Sequence, residues 1–168
     1  MMRLFVASLG VLLLASGARG ETPGEIFEKM KSLDGRWSGR VDDRSTGEPL
    51  VLEYRLLAQG KTLVEIQAPG TPSEMMTVYF LSGDELRATH YCSAGNQPEM
   101  VGSPLPEGGG VRFSFRGGSG FAPSRDGHVH DGEIRFVSTD EIEHYWTWYE
   151  GGSEKSHTRW FLSRAESP

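Results

Sequence analysis

The chain has a single cysteine, Cys92, among its 168 residues. An internal disulfide is thereby excluded, so the fold must be held by its core. In an oxidising compartment such a thiol has to be buried, paired between chains or chemically used. Long apolar runs are also missing. The longest, Leu4 to Ala15, has about a dozen residues, whereas a membrane-spanning helix needs about 20. Positive charge is scarce: 17 Lys and Arg stand against 23 Asp and Glu, a formal charge of -6. That balance argues against nonspecific nucleic-acid binding and against anionic membrane surfaces. No glycine-rich loop follows a strand and opens a helix, so a phosphate cradle is not indicated. No catalytic set assembles either. Cys92 and His90 lack a nameable orienting acid or oxyanion donor, and Glu141 and Glu143 fall on the outward parity of their strand.

The N-terminus reads as a targeting segment. Arg3 gives a basic start, the short apolar run follows, and Ala18-Arg19-Gly20 places small residues where a signal peptidase cuts. Residues 1–20 are therefore expected to be a signal peptide and 21–168 a single exported domain, periplasmic or secreted. Removing residues 1–20 takes away Arg3 and Arg19 and no acid, so the charge of the remainder moves from -6 to -8. The remaining chain, roughly 148 residues, suits one domain with a sizeable core.

Thr22-Pro23-Gly24-Glu25 is a capping-box pattern with proline at the first helical position. Ile26, Phe27, Met30 and Leu33 follow at helical spacing, predicting one short helix that ends near Asp34-Gly35. Beyond it the apolar period changes to two. Trp37 and Val41 are predicted inward, as are Leu50, Leu52, Tyr54 and Leu56, and, after a turn at Gln59-Gly60-Lys61, Val64 and Ile66. Leu86, Ala88, His90 and Cys92 share one parity, opposite to Glu85, Arg87, Thr89 and Tyr91. Val111, Phe113 and Phe115, Ile134 and Phe136, and Ile142, His144, Trp146 and Trp148 complete the inward set. Short strands joined by Gly-, Pro- and Asp-rich turns, with no helix between them, predict an all-β fold. Consecutive hairpins suit an antiparallel up-and-down barrel of about 8–10 strands, whose closure removes exposed edges.

Two motifs carry a family resemblance. Gly35-Arg36-Trp37, just after a short helix, resembles the opening Gly-x-Trp of the calycin group, the lipocalins and fatty-acid-binding proteins. Met76 to Leu81, Gly83-Asp84 and the block His90-Tyr91-Cys92 to Asn96-Gln97-Pro98 resemble bacterial lipocalin-like domains of the DUF1579 type, over most of the chain beyond residue 20. The resemblance implies a calycin-like barrel, a fold that commonly holds small apolar ligands, and no settled activity. One calycin branch, the nitrobindin-like proteins, holds haem through a histidine near the C-terminus. Its glycine-richer opening motif is absent from Trp37-Ser38-Gly39-Arg40-Val41, and His157 is not assigned as an axial ligand.

Three readings compete for the interior polar residues. In the first, His90 and His144 are buried and hydrogen-bonded, and Cys92 packs as a small hydrophobe in a filled, structural barrel. In that case Met75 and Leu81 could form an external strip for a partner. In the second, a small, largely apolar ligand occupies the barrel mouth, with Trp37, Tyr54, His90, Cys92, Asn96, Gln97, His144, Trp146 and Trp148 as candidate contacts. Asn96 and Gln97 alternatively tie down a loop. In the third, His90, Cys92, His128 and His130 hold zinc or copper, with His144 as a fifth candidate, or the interior holds haem. The second is the expected function: noncatalytic ligand binding with no resident cofactor.

Overall fold

The computed structural model describes residues 20–42, 49–107 and 109–165. The expected signal peptide lies outside the described residues, apart from Gly20. Helix α1, Pro23–Met30, begins as its sequence predicts. Thr22 Oγ1 accepts the Glu25 N–H at 3.2 Å, and Glu25 Oε2 accepts the Thr22 N–H at 2.7 Å. The reciprocal pair satisfies two of the amide groups that a helix start leaves open. Ile26, Phe27, Met30 and Leu33 are all buried.

Ten strands follow: β1 Gly35–Val41, β2 Leu50–Leu57, β3 Thr62–Gln67, β4 Met75–Ser82 and β5 Glu85–Tyr91, then β6 Gln97–Pro104, β7 Gly110–Ser119, β8 His128–Phe136, β9 Glu141–Glu150 and β10 Ser153–Arg164. Each pairs antiparallel with its neighbour in sequence, and β1 closes the ring by pairing β10 as well as β2. The closed all-β barrel and, among the described residues, one short N-terminal α-helix match the sequence expectation.

The helix plugs one end. It packs against β4, β5 and β6. Trp37 on β1 seals the plug: its indole N–H donates to Leu33 O at 2.8 Å, and the Arg164 guanidinium lies 4.4 Å from its ring centre. Arg164 also donates to the backbone carbonyls of Ser32 and Asp34. Trp37 is therefore part of the closed end and not of a ligand-contacting wall, because β1 enters the barrel there.

Closure of β1 on β10 requires a glycine. A Cβ on Gly39 would lie 1.9 Å from Phe161 O and 2.9 Å from Leu162 Cα. Both are backbone atoms that cannot rotate aside. Gly39→Ala is expected to lower stability by about 2–3 kcal/mol in chemical denaturation. A loss below about 0.5 kcal/mol would mean that these two strands do not approach so closely.

Two strands depart from the predicted alternation. On β3 the buried residues of the inward parity are Leu63, Glu65 and Gln67, while Ile66 is only partly buried. The turn before it is longer than a two-residue hairpin: Ala58, Gln59 and Gly60 all have positive φ. Leu57 then pairs with Thr62, which sets Tyr54 opposite Glu65. On β8 the register shifts between Val129 and Gly132, which pair with Trp148 and Trp146. One extra residue in a strand reverses which residues face in. Val129 takes the cavity side that His128 and His130 were expected to occupy. Pairing of β7 with β8 stops at Phe113–Gly132. Beyond that point Phe115, Phe121, His128, His130 and Tyr149 form a cluster of their own.

Candidate functional site

The end opposite the helix holds a cavity of about 320 Å³. Met75, Val129, Trp146, Trp148 and Trp160 give it apolar lining. Gln67, His90, Cys92 and His157 supply polar atoms. Barrel bore grows with strand number, and eight strands give a bore that side chains just fill. Ten strands leave space at the end that the helix does not plug.

The bulge on β8 shapes this space. With no side chain on Gly132, the Trp146 ring lies across its backbone, where a Cβ would be 2.3 Å from the ring. A Cβ on Gly127 would likewise meet the Trp148 ring at 2.4 Å. Both indoles therefore lie against strand backbone.

A hydrogen-bonded chain runs through the barrel wall beside the cavity. The carboxylate of Glu65 is fully buried. Its Oε2 accepts from the hydroxyls of Tyr54 at 2.8 Å and Tyr79 at 2.7 Å, and its Oε1 accepts from the Gln67 amide at 2.7 Å. Tyr54 Oη is also 2.9 Å from His144 Nε2, and Trp146 Nε1 donates to His144 Nδ1 at 3.3 Å. One proton arrangement satisfies every partner. Trp146 donates to Nδ1, Nε2–H donates to Tyr54, and Tyr54 donates to Glu65. His144 is thus the neutral Nε2–H tautomer, and both carboxylate oxygens serve as acceptors. Burial pushes the His144 pKa below its usual value, against the opposing pull of Glu65. Burial, reinforced by the Glu65 charge, pushes the phenols of Tyr54 and Tyr79 well up. Trp160 stacks on the His144 ring with centres 5.3 Å apart.

His90 joins this chain only through Thr77, whose hydroxyl also hydrogen-bonds the Tyr79 side chain. It is 3% exposed, and its Nδ1 is 2.9 Å from Thr77 Oγ1. Its Nε2 is buried and has no partner among the described residues. Burial lowers its pKa, with Glu65 acting in the opposite direction.

The sequence candidates are distributed as follows. His90, Cys92, Trp146 and Trp148 line the cavity, and Tyr54 and His144 belong to the buried chain. Asn96 donates to Gly127 O at 2.8 Å, tying the β5–β6 turn to the loop before β8. Gln97 accepts from Ser119 Oγ at 3.0 Å and does not line the cavity. Met75 faces the cavity and does not form an external strip with Leu81. His128 and His130 sit with Phe115 and Tyr149, so the four residues of the zinc or copper reading are not brought together. Among the described residues no group of three or more His, Cys, Asp or Glu is placed to hold an ion.

Cys92 corrects a further expectation. β5 ends at Tyr91, and the thiol sits half-buried at the rim, in a turn where Cys92 N donates to Asn96 O. It is expected to react with a maleimide in the folded protein, and the adduct should narrow the cavity. Labelling that requires denaturant would place it in the core instead.

Sequence reasoning missed Glu65, Gln67, Thr77, Tyr79, Met75 and Trp160. One available signal was the tyrosine pair. Two buried phenols need acceptors, and Glu65 is the residue that meets both.

No protein-family model and no curated protein matches this chain. Among solved structures it is similar to Rv2717c from M. tuberculosis, with a TM-score of 0.56 and 20% identity over 84% of this chain and 98% of that one. It is also similar to a protein of unknown function from the DUF3598 family of Nostoc punctiforme, with a TM-score of 0.55 and 16% identity over 81% of this chain. This chain spans 49% of that protein. These likenesses concern the fold, a barrel shared with proteins of unknown function.

Proposed function

We propose that this protein is an exported, calycin-like binding barrel of the DUF1579 type that holds a small, largely apolar molecule without transforming it. The observation that carries the reading is the mouth cavity, where three indoles and a methionine supply contact area and a few polar atoms can set orientation. The buried chain beside it favours binding over catalysis, because its donors and acceptors already satisfy one another. The hydroxyls that contact an imidazole, Thr77 and Tyr54, are almost completely buried, and so offer no nucleophile to a substrate. In a site of this kind the chain keeps the wall rigid while the ligand displaces water from the indoles.

The test uses N-phenyl-1-naphthylamine, a neutral probe that brightens in apolar surroundings. It should bind at one equivalent and quench the tryptophan emission. Val129→Phe, which fills the cavity from its wall, should weaken binding at least about tenfold with little change in stability. Equal binding by the variant would place the probe elsewhere and remove the main support for this function.

A further inference from the structure

Among the described residues, Nε2 of His90 is the buried polar side-chain atom of the cavity wall that has no partner. On the other side of the ring, Nδ1 meets Thr77 Oγ1 at 2.9 Å, from the neighbouring strand β4. The Thr77 hydroxyl also hydrogen-bonds the Tyr79 side chain, and the Tyr79 hydroxyl donates to Glu65 Oε2 at 2.7 Å. A threonine hydroxyl has one hydrogen and two lone pairs, so it can complete these contacts in two ways. In the first, Thr77 donates to Nδ1 and His90 carries its proton on Nε2. In the second, Nδ1–H donates to Thr77, Thr77 donates to Tyr79 Oη, and Nε2 is a lone pair. Either way Thr77 and Nδ1 are paired, and Tyr79 keeps its bond to Glu65. The one group left open is Nε2, a donor in the first arrangement and an acceptor in the second.

No heavy atom has to move between the two. The Thr77 hydroxyl turns, and the imidazole loses a proton at one nitrogen and regains one at the other, with no change of charge. His144 has no such freedom, because the Trp146 N–H donates to its Nδ1 and so keeps its own proton on Nε2. Buried polar groups are rarely left unpaired, so an occupant of the cavity is expected to complete Nε2 of His90. Resting on the binding reading above, we propose that His90 is an adaptive contact: the cavity takes an apolar molecule with one polar end against Nε2, that end is a carbonyl or a hydroxyl, and the imidazole adopts whichever tautomer pairs with it. A ketone and the alcohol of the same skeleton are therefore both accommodated. The apolar body lies among Trp146, Trp148 and Trp160.

The test uses two shape-matched pairs of probes on protein labelled with 15N at histidine. 2-Acetylnaphthalene, an acceptor only, is compared with 2-isopropenylnaphthalene, and 2-naphthol, a strong donor, with 2-methylnaphthalene. Affinities are read from tryptophan quenching and tautomers from the His90 15N shifts. Each polar probe should bind at least about fivefold more tightly than its hydrocarbon partner. His90 should be the Nε2–H tautomer with the ketone and the Nδ1–H tautomer with the naphthol, a change that a merely packed imidazole would not show. His90→Phe should erase both polar preferences while the hydrocarbons still bind. The same tautomer in both complexes, or a gain for only one polar probe, would overturn the adaptive role. Equal binding within both pairs, with His90 unmoved, would overturn it too and leave the cavity reading standing. Failure of all four to bind would overturn the cavity reading and the His90 role with it.

Discussion

Glu65→Ala is expected to lower folding stability by about 3–5 kcal/mol, a large part of the roughly 5–15 kcal/mol available to a domain of this kind. Removing the carboxylate leaves three donors, from Tyr54, Tyr79 and Gln67, without their acceptor in a fully buried region. Each unpaired group costs about 1–3 kcal/mol, partly relieved if water enters the space. Glu65→Gln should cost less, about 1–3 kcal/mol, since one oxygen still accepts while the new amide faces other donors. Urea unfolding of both variants measures this. Replacing the donors as well, with Tyr54→Phe, Tyr79→Phe and Gln67→Met alongside Glu65→Leu, should recover much of the loss, because an apolar layer of similar volume leaves nothing unpaired. A Glu65→Ala protein within about 1 kcal/mol of the parent would show that the three hydrogen bonds do not form.

Stability should fall as the pH drops below about 6.5, well before the carboxylates begin to titrate. Burial lowers the pKa of both His90 and His144 in the folded state. Below the unfolded value the unfolded chain therefore binds more protons than the folded one. Stability is fully present above that value and is lost on acidification until the folded-state values are passed. Each histidine contributes a slope of up to about 1.4 kcal/mol per pH unit inside the window. The surface carboxylates of Glu85, Glu107 and Asp126 are held low by hydrogen bonds, from Arg87, from the Glu107 backbone and from Arg125 respectively. Their losses have the same sign but begin only near the usual carboxylate range, so the two windows separate. Urea midpoints at pH 7.5, 6.0 and 5.0 check this. His90→Gln combined with His144→Gln should flatten the dependence between pH 6.5 and 5. A flat profile in the parent protein would mean that neither imidazole is held neutral by burial.

Where single strands alternate cleanly, the sequence was enough. On β5 the polar set Glu85, Arg87 and Thr89 left Leu86, Ala88 and His90 to face in, and the structure buries those three. On β9 the same reasoning placed His144 and Trp146. The helix cap was legible because its four residues contact one another locally. The failures have two causes. On β3 apolarity favoured Val64 and Ile66, yet the barrel faces Glu65 and Gln67 inward, because partners on β2 and β4 supply what they need. A single strand contains no record of those partners. On β8 the extra residue between Val129 and Gly132 reversed the parity, and nothing in Val-His-Asp-Gly marks where the register slips. Counting from Ile134 back to His128 therefore put two histidines on the wrong side. The alternative reading of a four-ligand metal cluster depended on that count.

The pieces combine into one design. The helix and Trp37 fill one end, so the bore can stay open at the other. The Glu65 chain stiffens the wall between them, and the indoles of Trp146 and Trp148 lie against backbone that glycine leaves bare. Those restraints suit a preformed cavity, which binds without first ordering its walls.

The most direct measurement is native mass spectrometry of the protein recovered from the cells that make it, run beside its Val129→Phe variant. The expected result is an added mass of a few hundred daltons at one equivalent, lost on denaturation and absent from the variant. A bare protein mass that stays bare after exposure to extracts of its own compartment, or an adduct carried equally by the filled variant, would contradict ligand binding in this cavity.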